Sequence, residues 1–77
     1  MARAIVLINS DVGAEEEVAK ALSQIPEVKE TYIVYGIYDV VAIIESESFD
    51  KLRNVVISKI RKMPHIKAST TLIVVEK

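Results

Sequence analysis

The stretch Ile25-Pro26-Glu27-Val28-Lys29 recurs 38 residues later as Met63-Pro64-His65-Ile66-Lys67. In each copy an apolar residue and a proline precede a β-branched apolar residue. Proline ends a helix, and a β-branched residue favours a strand. Each copy therefore predicts a passage from a helix to a strand, and the recurrence divides the chain into two similar halves.

The apolar pattern on either side of these prolines predicts the remaining elements. A continuous β-branched run indicates a strand over residues 4–8, and further strands are predicted over 28–35, 38–45 and 66–75. A helix is predicted over 14–25, with three glutamates in its first turn, where the helix dipole favours them. Ser48 is a predicted N-cap for a second helix that Pro64 stops. The stripe expected to be buried on that helix is Phe49, Leu52, Val56, Ile60 and Met63.

The resulting order, βαββαβ, predicts an α+β fold. Two strand–helix–strand halves build a ferredoxin-like plait, with an antiparallel sheet of order 4-1-3-2 and both helices on one face. The other face has no helix to cover it, yet its strands do not alternate with polar residues. A monomer would expose a large apolar patch. We therefore expect the sheet to pack against a second copy as a homo-oligomer, at least a dimer, of the dimeric α+β barrel type.

The composition limits the classes of function. Seventy-seven residues make one domain, 1–77, with 51% hydrophobic residues, 27% charged residues and a net charge of −1. This balance does not favour direct DNA binding. Cysteine is absent, no apolar run reaches the length of a membrane span, and the N-terminus lacks a signal-peptide pattern. A cytoplasmic protein without membrane association, metal site or cofactor is expected.

Two phenols, a glycine and a carboxylate are concentrated in one turn, Tyr35-Gly36-Ile37-Tyr38-Asp39, between the second and third predicted strands. Gly36 can adopt φ > 0, which leaves backbone N–H groups open to a small ligand. Those donors suit a carboxylate, and Asp39 suits an ammonium group, so together they suit an amino acid. The alternative interpretation is a plain hairpin.

The predicted topology brings further polar residues to the same edge of the sheet. The end of the first strand, the turn and the start of the last strand meet there, together with the beginning of the first helix. We therefore expect a ligand site in which Asn9 and Ser10 lie near the turn. The last strand adds Ser69, Thr70 and Thr71. The alternative is that these hydroxyl residues simply begin a strand.

Three other features have structural interpretations. His65 is the single histidine and has no evident metal partners, so it is expected to be structural or inert. The glutamates at 15–17 fit a solvated helix start better than a metal site. Basic residues on the second helix could form a weak contact surface for anions, but an ordinary solvent-facing helix explains them as well.

Two segments resemble one protein family. Residues 34–40, VYGIYDV, resemble the TG-x-YD segment of the Lrp/AsnC transcription regulators, which lies in their effector module, called RAM. Residues 63–71, MPHIKASTT, resemble the LPGV-x-x-T-x-T stretch of that module. The chain departs from the pattern at Tyr35, where the family often has Thr, and at His65, where it often has Gly. The helix-turn-helix of the family has no counterpart, so a stand-alone RAM protein is expected.

The resemblance implies a βαββαβ domain that dimerises through its sheet and can assemble further, often to octamers. It implies that a small effector, commonly an amino acid, binds between dimers. The implied ligand-binding residues are Tyr35, Gly36, Ile37, Tyr38, Asp39, Ser69, Thr70 and Thr71. Co-assembly with full-length Lrp/AsnC regulators is the implied mode of action.

Three functions remain open at this point. The leading one is a regulatory module that binds an amino acid and is not an enzyme. The second is a small dimeric α+β barrel enzyme, whose acid–base candidates are Asp39, His65 and the tyrosines. The third is a purely structural assembly module, in which the turn makes subunit contacts.

Overall fold

The computed structural model describes residues 1–75, which form four strands and two helices in the order βαββαβ. None of the helices in this part of the chain is long and apolar enough to cross a membrane. A π-helical segment, Val56–Ile60, directly continues the second helix. The elements are β1 Ala2–Ser10, α1 Glu15–Ser23, β2 Val28–Ile33, β3 Val40–Ser46, α2 Phe49–Val55 and β4 Ile66–Val74.

The strands form one antiparallel sheet in the order β2-β3-β1-β4. Read from the other edge, this is the predicted order 4-1-3-2, so the ferredoxin-like prediction is confirmed. β1 is central, because Ile8 lies opposite Val40 of β3 on one side and Ser69 of β4 on the other. The end of β1, the β2–β3 turn and the start of β4 share one edge of the sheet, which we call the top edge.

The proline repeat marks the same junction in both halves. Pro26 precedes β2 and Pro64 precedes β4, so each copy leads from a helix into an edge strand. The carbonyl after each proline accepts a hydrogen bond from a neighbouring segment: Glu27 from the Glu45 amide and His65 from the Asp11 amide. The recurrence in the sequence therefore reflects an approximate twofold relation in the fold.

The core lies between the two helices and one face of the sheet. On β1 and β3 every second residue is buried, as expected for strands with helices on one side. α1 contacts β2 and β3, whereas α2 lies on β1 and β3. The fully or almost fully buried side chains are Val6, Ile8, Val18, Leu22, Val40, Ile44, Leu52 and Ile60.

The second helix differs from its prediction in two ways. Its N-cap is confirmed, because the Ser48 hydroxyl accepts a hydrogen bond from the Lys51 amide at 3.2 Å. Phe49, however, was expected to be buried and is 57% exposed. The helix also ends as a π-helix, with the Arg61 amide bonded to the Val56 carbonyl at 2.8 Å. The stripe prediction was wrong for Phe49 because α2 packs on the two central strands. The first turn of the helix therefore lies beside the uncovered side of β4, where Phe49 is not enclosed.

The strands on either side of the turn are shorter than predicted. β2 was expected to continue to Tyr35 and β3 to begin at Tyr38, but the structure ends β2 at Ile33 and begins β3 at Val40. The β-branched and aromatic residues at these positions favour a strand locally. The loop, residues 34–39, is therefore longer than a two-residue hairpin turn and has backbone N–H groups, unpaired within residues 1–75, that such a turn would lack.

The face of the sheet without helices is apolar at its centre. Ile5, Leu7, Val41 and Ile43 are half-buried by one another, and Leu72 is exposed beside them. Polar residues lie at its margin, including an ion pair between Arg3 Nε and Glu45 Oε2 at 3.6 Å. No residue within 1–75 covers this surface, which we call the open face.

Replacing Leu52 and Phe49 separately with Ala tests the corrected core. Leu52 is 0% exposed, so Leu52→Ala should leave a cavity and lower the free energy of unfolding by about 2–5 kcal/mol. Phe49→Ala removes a larger but exposed side chain and should cost less than about 1 kcal/mol. Urea unfolding of both variants at one protein concentration measures the difference. Equal losses would show that Phe49 is buried after all.

Candidate functional site

The loop between β2 and β3 holds a row of unused backbone donors. The Val34 amide donates to the Asp39 carbonyl at 2.8 Å and closes the loop. Within residues 1–75, no hydrogen bond comes from the amides of Tyr35, Gly36, Ile37 or Tyr38. Gly36 has φ +147°, a conformation that side-chain-bearing residues rarely adopt. The turn therefore offers several N–H groups to an acceptor from outside the chain.

The end of β1 holds this turn in place. The Asn9 side-chain amide donates to the Ile37 carbonyl at 2.6 Å. The Asp39 backbone N–H donates to the Ile8 carbonyl at 2.9 Å. These bonds join two strands and the loop at the top edge, so the free N–H groups sit on a fixed backbone. Fixed donors lose little conformational freedom when they bind a ligand.

The Asp39 carboxylate is partly engaged within the chain. Its Oδ2 accepts a hydrogen bond from the Ser10 amide at 3.0 Å. Its Oδ1 has no hydrogen-bond partner among the described residues, and the side chain is half-exposed. One oxygen therefore positions the turn, and the other is open to a positive group.

Two side chains project from the turn into solvent. Tyr35 and Ile37 are almost completely exposed, whereas Tyr38 is half-buried. Beneath them the Ser10 hydroxyl is buried without a hydrogen-bond partner. Exposed apolar side chains beside free polar backbone are typical of a contact surface for a ligand or another chain.

The remaining predicted site residues, on β4, lie farther from the turn than Asn9 and Ser10 do. Ser69, Thr70 and Thr71 are opposite Ile8, Leu7 and Val6, so they are on β4, one residue after another down from the top edge. β1 and β3 separate β4 from β2, and adjacent strands are about 4.8 Å apart. One chain therefore brings Asn9 and Ser10 to the turn but does not bring the three hydroxyl residues to it.

His65 connects three segments at the top edge. Its Nδ1 lies 3.2 Å from Asp11 Oδ2, and its Nε2 lies 3.1 Å from Glu17 Oε2. Its backbone has φ +71°, which is left-handed and unfavourable for a residue with a Cβ. A register shift between Asn9 and Ser10 accompanies this junction of β1 with β4. The prediction that His65 is structural agrees with these contacts, although neither partner could be read from the sequence.

Hydrogen bonds shift the pKa values of two side chains on or directly before β2. A hydrogen bond with the Glu30 carboxylate raises the pKa of the Tyr32 phenol, on the open face. A backbone hydrogen bond, with help from Lys59 at 3.3 Å, lowers the pKa of Glu27. Within residues 1–75, no group of three or more histidine and acidic side chains is arranged to hold a metal ion.

Comparison with known proteins identifies the family. The model of the Lrp/AsnC ligand binding domain matches residues 3–77. The chain belongs to this family. No protein of curated function is significantly similar to this Lrp/AsnC ligand-binding domain in sequence.

Solved structures agree with this assignment. FFRP-DM1 is 40% identical, with a TM-score of 0.93, over 97% of this chain and 100% of that one. AsnC from E. coli is 26% identical, with a TM-score of 0.91, over 99% of this chain and 52% of that one. The transcriptional regulator NMB0573 from Neisseria meningitidis, solved as an L-Met complex, is 14% identical, with a TM-score of 0.87, over 99% of this chain and 51% of that one. At that identity the last similarity shows the fold alone. This Lrp/AsnC ligand-binding domain thus spans about half of AsnC.

Sequence reasoning did not find two parts of this edge. The bond from Asn9 to the Ile37 carbonyl could not be read from the sequence, because it joins residues 28 positions apart. The left-handed backbone of His65 did leave a signal, since His65 stands where the Lrp/AsnC family often has glycine. Glycine is the residue that adopts φ > 0 most readily.

Substitution at His65 tests the left-handed backbone of this Lrp/AsnC ligand-binding domain. His65→Ala and His65→Gly both remove the contacts with Asp11 and Glu17, but only glycine accepts φ +71° without strain. The Gly variant should therefore exceed the Ala variant in free energy of unfolding by about 1 kcal/mol. Chemical unfolding of both proteins checks this order. If Ala were the more stable, the backbone at residue 65 would not be left-handed.

Proposed function

We propose that this Lrp/AsnC ligand-binding domain is a regulatory module that binds a free amino acid at the turn between β2 and β3. The observation that carries this proposal is the pairing of free amides at Tyr35–Tyr38 with the unpaired Oδ1 of Asp39. Amide N–H groups donate hydrogen bonds to a carboxylate, and a carboxylate accepts hydrogen bonds from an ammonium group. Both charged groups of an amino acid thus find a complement within one short loop.

We propose a separate role for each group of residues at the turn. The amides around Gly36 receive the α-carboxylate, and Asp39 Oδ1 receives the α-ammonium group. Tyr35 and Ile37, which are exposed in the single chain, cover the apolar part of the ligand. Asn9 and Ser10 act indirectly, because they hold the Ile37 carbonyl and the Asp39 carboxylate in position.

The comparison with NMB0573 supports an amino acid as the effector. That regulator shares the fold of this chain and was solved as an L-Met complex. Regulation rather than catalysis also agrees with the site, where Asp39 Oδ2 is bonded to a backbone amide and not to an acid–base partner.

The open face supports an oligomer as the working form. Packing two open faces together would remove Ile5, Leu7, Val41, Ile43 and Leu72 from water, which is favourable in proportion to the apolar area. Contact between such dimers would allow Ser69, Thr70 and Thr71 of another copy to approach the turn. The effector would then bind at an interface between copies and link its affinity to assembly.

The same surface provides a route to other regulators. AsnC contains this fold in about half of its chain, so it has a sheet face in the equivalent position. We propose that the module acts on full-length Lrp/AsnC regulators by co-assembly through the open face. In this mode it makes no direct contact with DNA or membrane and needs no cofactor.

A thermal-shift screen of the twenty amino acids, followed by calorimetry, tests the ligand site. A ligand that binds only the folded protein raises its melting temperature. With the best ligand, Asp39→Asn keeps the shape of the side chain but removes its charge. The affinity should fall about ten- to a hundredfold, because one charge-assisted bond contributes about 1.5–3 kcal/mol.

Two further variants make this test specific. Gly36→Val should weaken binding more than Asp39→Asn, because a β-branched residue resists φ +147°, although an added Cβ meets no atom within 4 Å. Asp50→Asn, which changes an exposed carboxylate on α2, should leave the affinity for the amino acid unchanged. Unchanged affinity in Asp39→Asn, with the oligomer intact, would exclude the carboxylate from the site.

Paired substitutions on neighbouring residues of β3 test the role of the open face. Ile43→Glu places a charge on the open face and should produce a folded monomer, because a buried unpaired charge costs several kcal/mol in the dimer. Ala42→Glu places the same charge in the core, where Ala42 is 0% exposed, and should unfold the chain. Native mass spectrometry and circular dichroism distinguish the two results. A monomeric wild type at micromolar concentration would refute the proposed dimer.

A further inference from the structure

A groove of about 600 Å³ lies between α2 and β4, on the helix side of the sheet. It exists because α2 lies on β1 and β3 and leaves this side of β4 uncovered. Its volume is within the range of about 300–1,000 Å³ that is usual for small-molecule sites. The residues of its wall that carry the argument are Phe49, Arg53, Ile57, Arg61, Thr71 and Ile73.

The wall of this α2–β4 groove is apolar and accessible. Phe49 is 57% exposed, and Ile57 and Ile73 are each 45% exposed, although all three face one cavity. Leu52 and Val56 form its floor and belong to the core. Large apolar side chains that converge on one cavity without filling it favour an apolar ligand.

The π-helical segment forms part of the same wall. Val56 and Ile57 begin the segment Val56–Ile60, and Arg61 closes it through its bond to the Val56 carbonyl at 2.8 Å. A π-helical turn contains an extra residue and is found frequently at functional sites in proteins. Here it sets the positions of Ile57 and Arg61 relative to β4.

Two arginines line the groove, with Arg61 at one end and Arg53 about two turns earlier on the helix. Arg53 and Arg61 both line it, and neither has a carboxylate within 4.0 Å among residues 1–75, whereas Arg3 has such a partner. Arg61 also borders an adjoining polar cleft with Lys67 and Ser69. The single carboxylate in the wall, Asp50, lies in the first turn of α2, at the opposite end. A guanidinium with free donors pairs well with a carboxylate.

We propose that the α2–β4 groove binds an elongated apolar carboxylate, such as a medium-chain fatty acid. The hydrocarbon lies between Phe49, Ile57 and Ile73, and the carboxylate is paired with Arg61. Within one chain this groove is separate from the turn that binds the amino acid, because β1 lies between β4 and β3, the strand that the turn enters. It also remains open when two open faces pack together, because it is on the opposite side of the sheet.

The test uses decanoate, below its micelle concentration, with the full chain. Methyl NMR should show saturable shifts at Ile57 and Ile73, while the Gly36 amide signal stays in place. Arg61→Gln should weaken binding about five- to tenfold, the effect of losing one charge-assisted bond at a partly exposed site. Lys62→Gln removes the same charge one residue away, outside the groove wall, and should bind decanoate like the wild type.

The remaining comparisons define what would overturn the proposal. Neutral decanol should bind the wild type more weakly than decanoate does. In Arg61→Gln, decanol and decanoate should bind equally. Absence of saturable binding, or equal weakening by Lys62→Gln, would overturn it. The signals of Ile57 and Ile73 could instead shift with protein concentration and not change when decanoate is added. That result would also overturn the proposal, because the groove would then hold a second copy of the chain. Shifts centred on Gly36 would place decanoate at the turn and exclude the groove.

Discussion

The constraint on which this structure depends is a sheet that is apolar on both faces but has helices on only one. β1 and β3 place alternate residues in the core, where Val6, Ile8 and Ile44 are fully buried. The residues between them, such as Ile5 and Ile43, are equally apolar and face away from the helices. Burial of apolar surface is the main favourable term in folding and association. The strands that form the core therefore also form the apolar surface that would be covered in the proposed oligomer.

The top edge shows how a loop can be fixed while the amides from Tyr35 to Tyr38 stay unpaired within the described part of the chain. Asn9 and Ile8 bind the loop through the Ile37 carbonyl and the Asp39 amide, and Ser10 binds the Asp39 carboxylate. The support comes from β1, so the N–H groups from Tyr35 to Tyr38 stay unpaired. His65 is the second fixed point at this edge, where two carboxylates hold a residue with an unfavourable backbone. The turn is thus organised before any ligand arrives, which reduces the entropy lost on binding.

The incomplete cover on the helix side has a separate consequence. Because α2 lies on β1 and β3, the helix side of β4 is left beside a groove rather than in the core. The open face, the turn and the groove are then three surfaces on different parts of one small domain. A ligand in the groove would contact α2 and β4, and a ligand at the turn would contact β1 and β3. Both ligands would act on the same sheet, which is the element shared by the copies in the proposed oligomer.

The sequence by itself determined the architecture of this protein. The repeated proline junction predicted two similar halves, and the continuous apolar strands predicted an uncovered sheet face. Ser48 indicated the start of α2, and Gly36 indicated a turn with unusual backbone geometry. These features are local, because a proline, a cap or a glycine acts on its immediate neighbours, and strand periodicity depends on adjacent residues.

Only the tertiary structure decided which surfaces face one another. It showed that Phe49 overhangs a groove, that α2 ends as a π-helix, and that Ser69–Thr71 lie on a strand two positions away from β3. It also showed that Asp39 Oδ2 accepts a hydrogen bond from the Ser10 amide, whereas Oδ1 has no partner among the described residues. Helical and strand periods determine which residues share a face, but the element opposite that face is set by packing between distant parts of the chain.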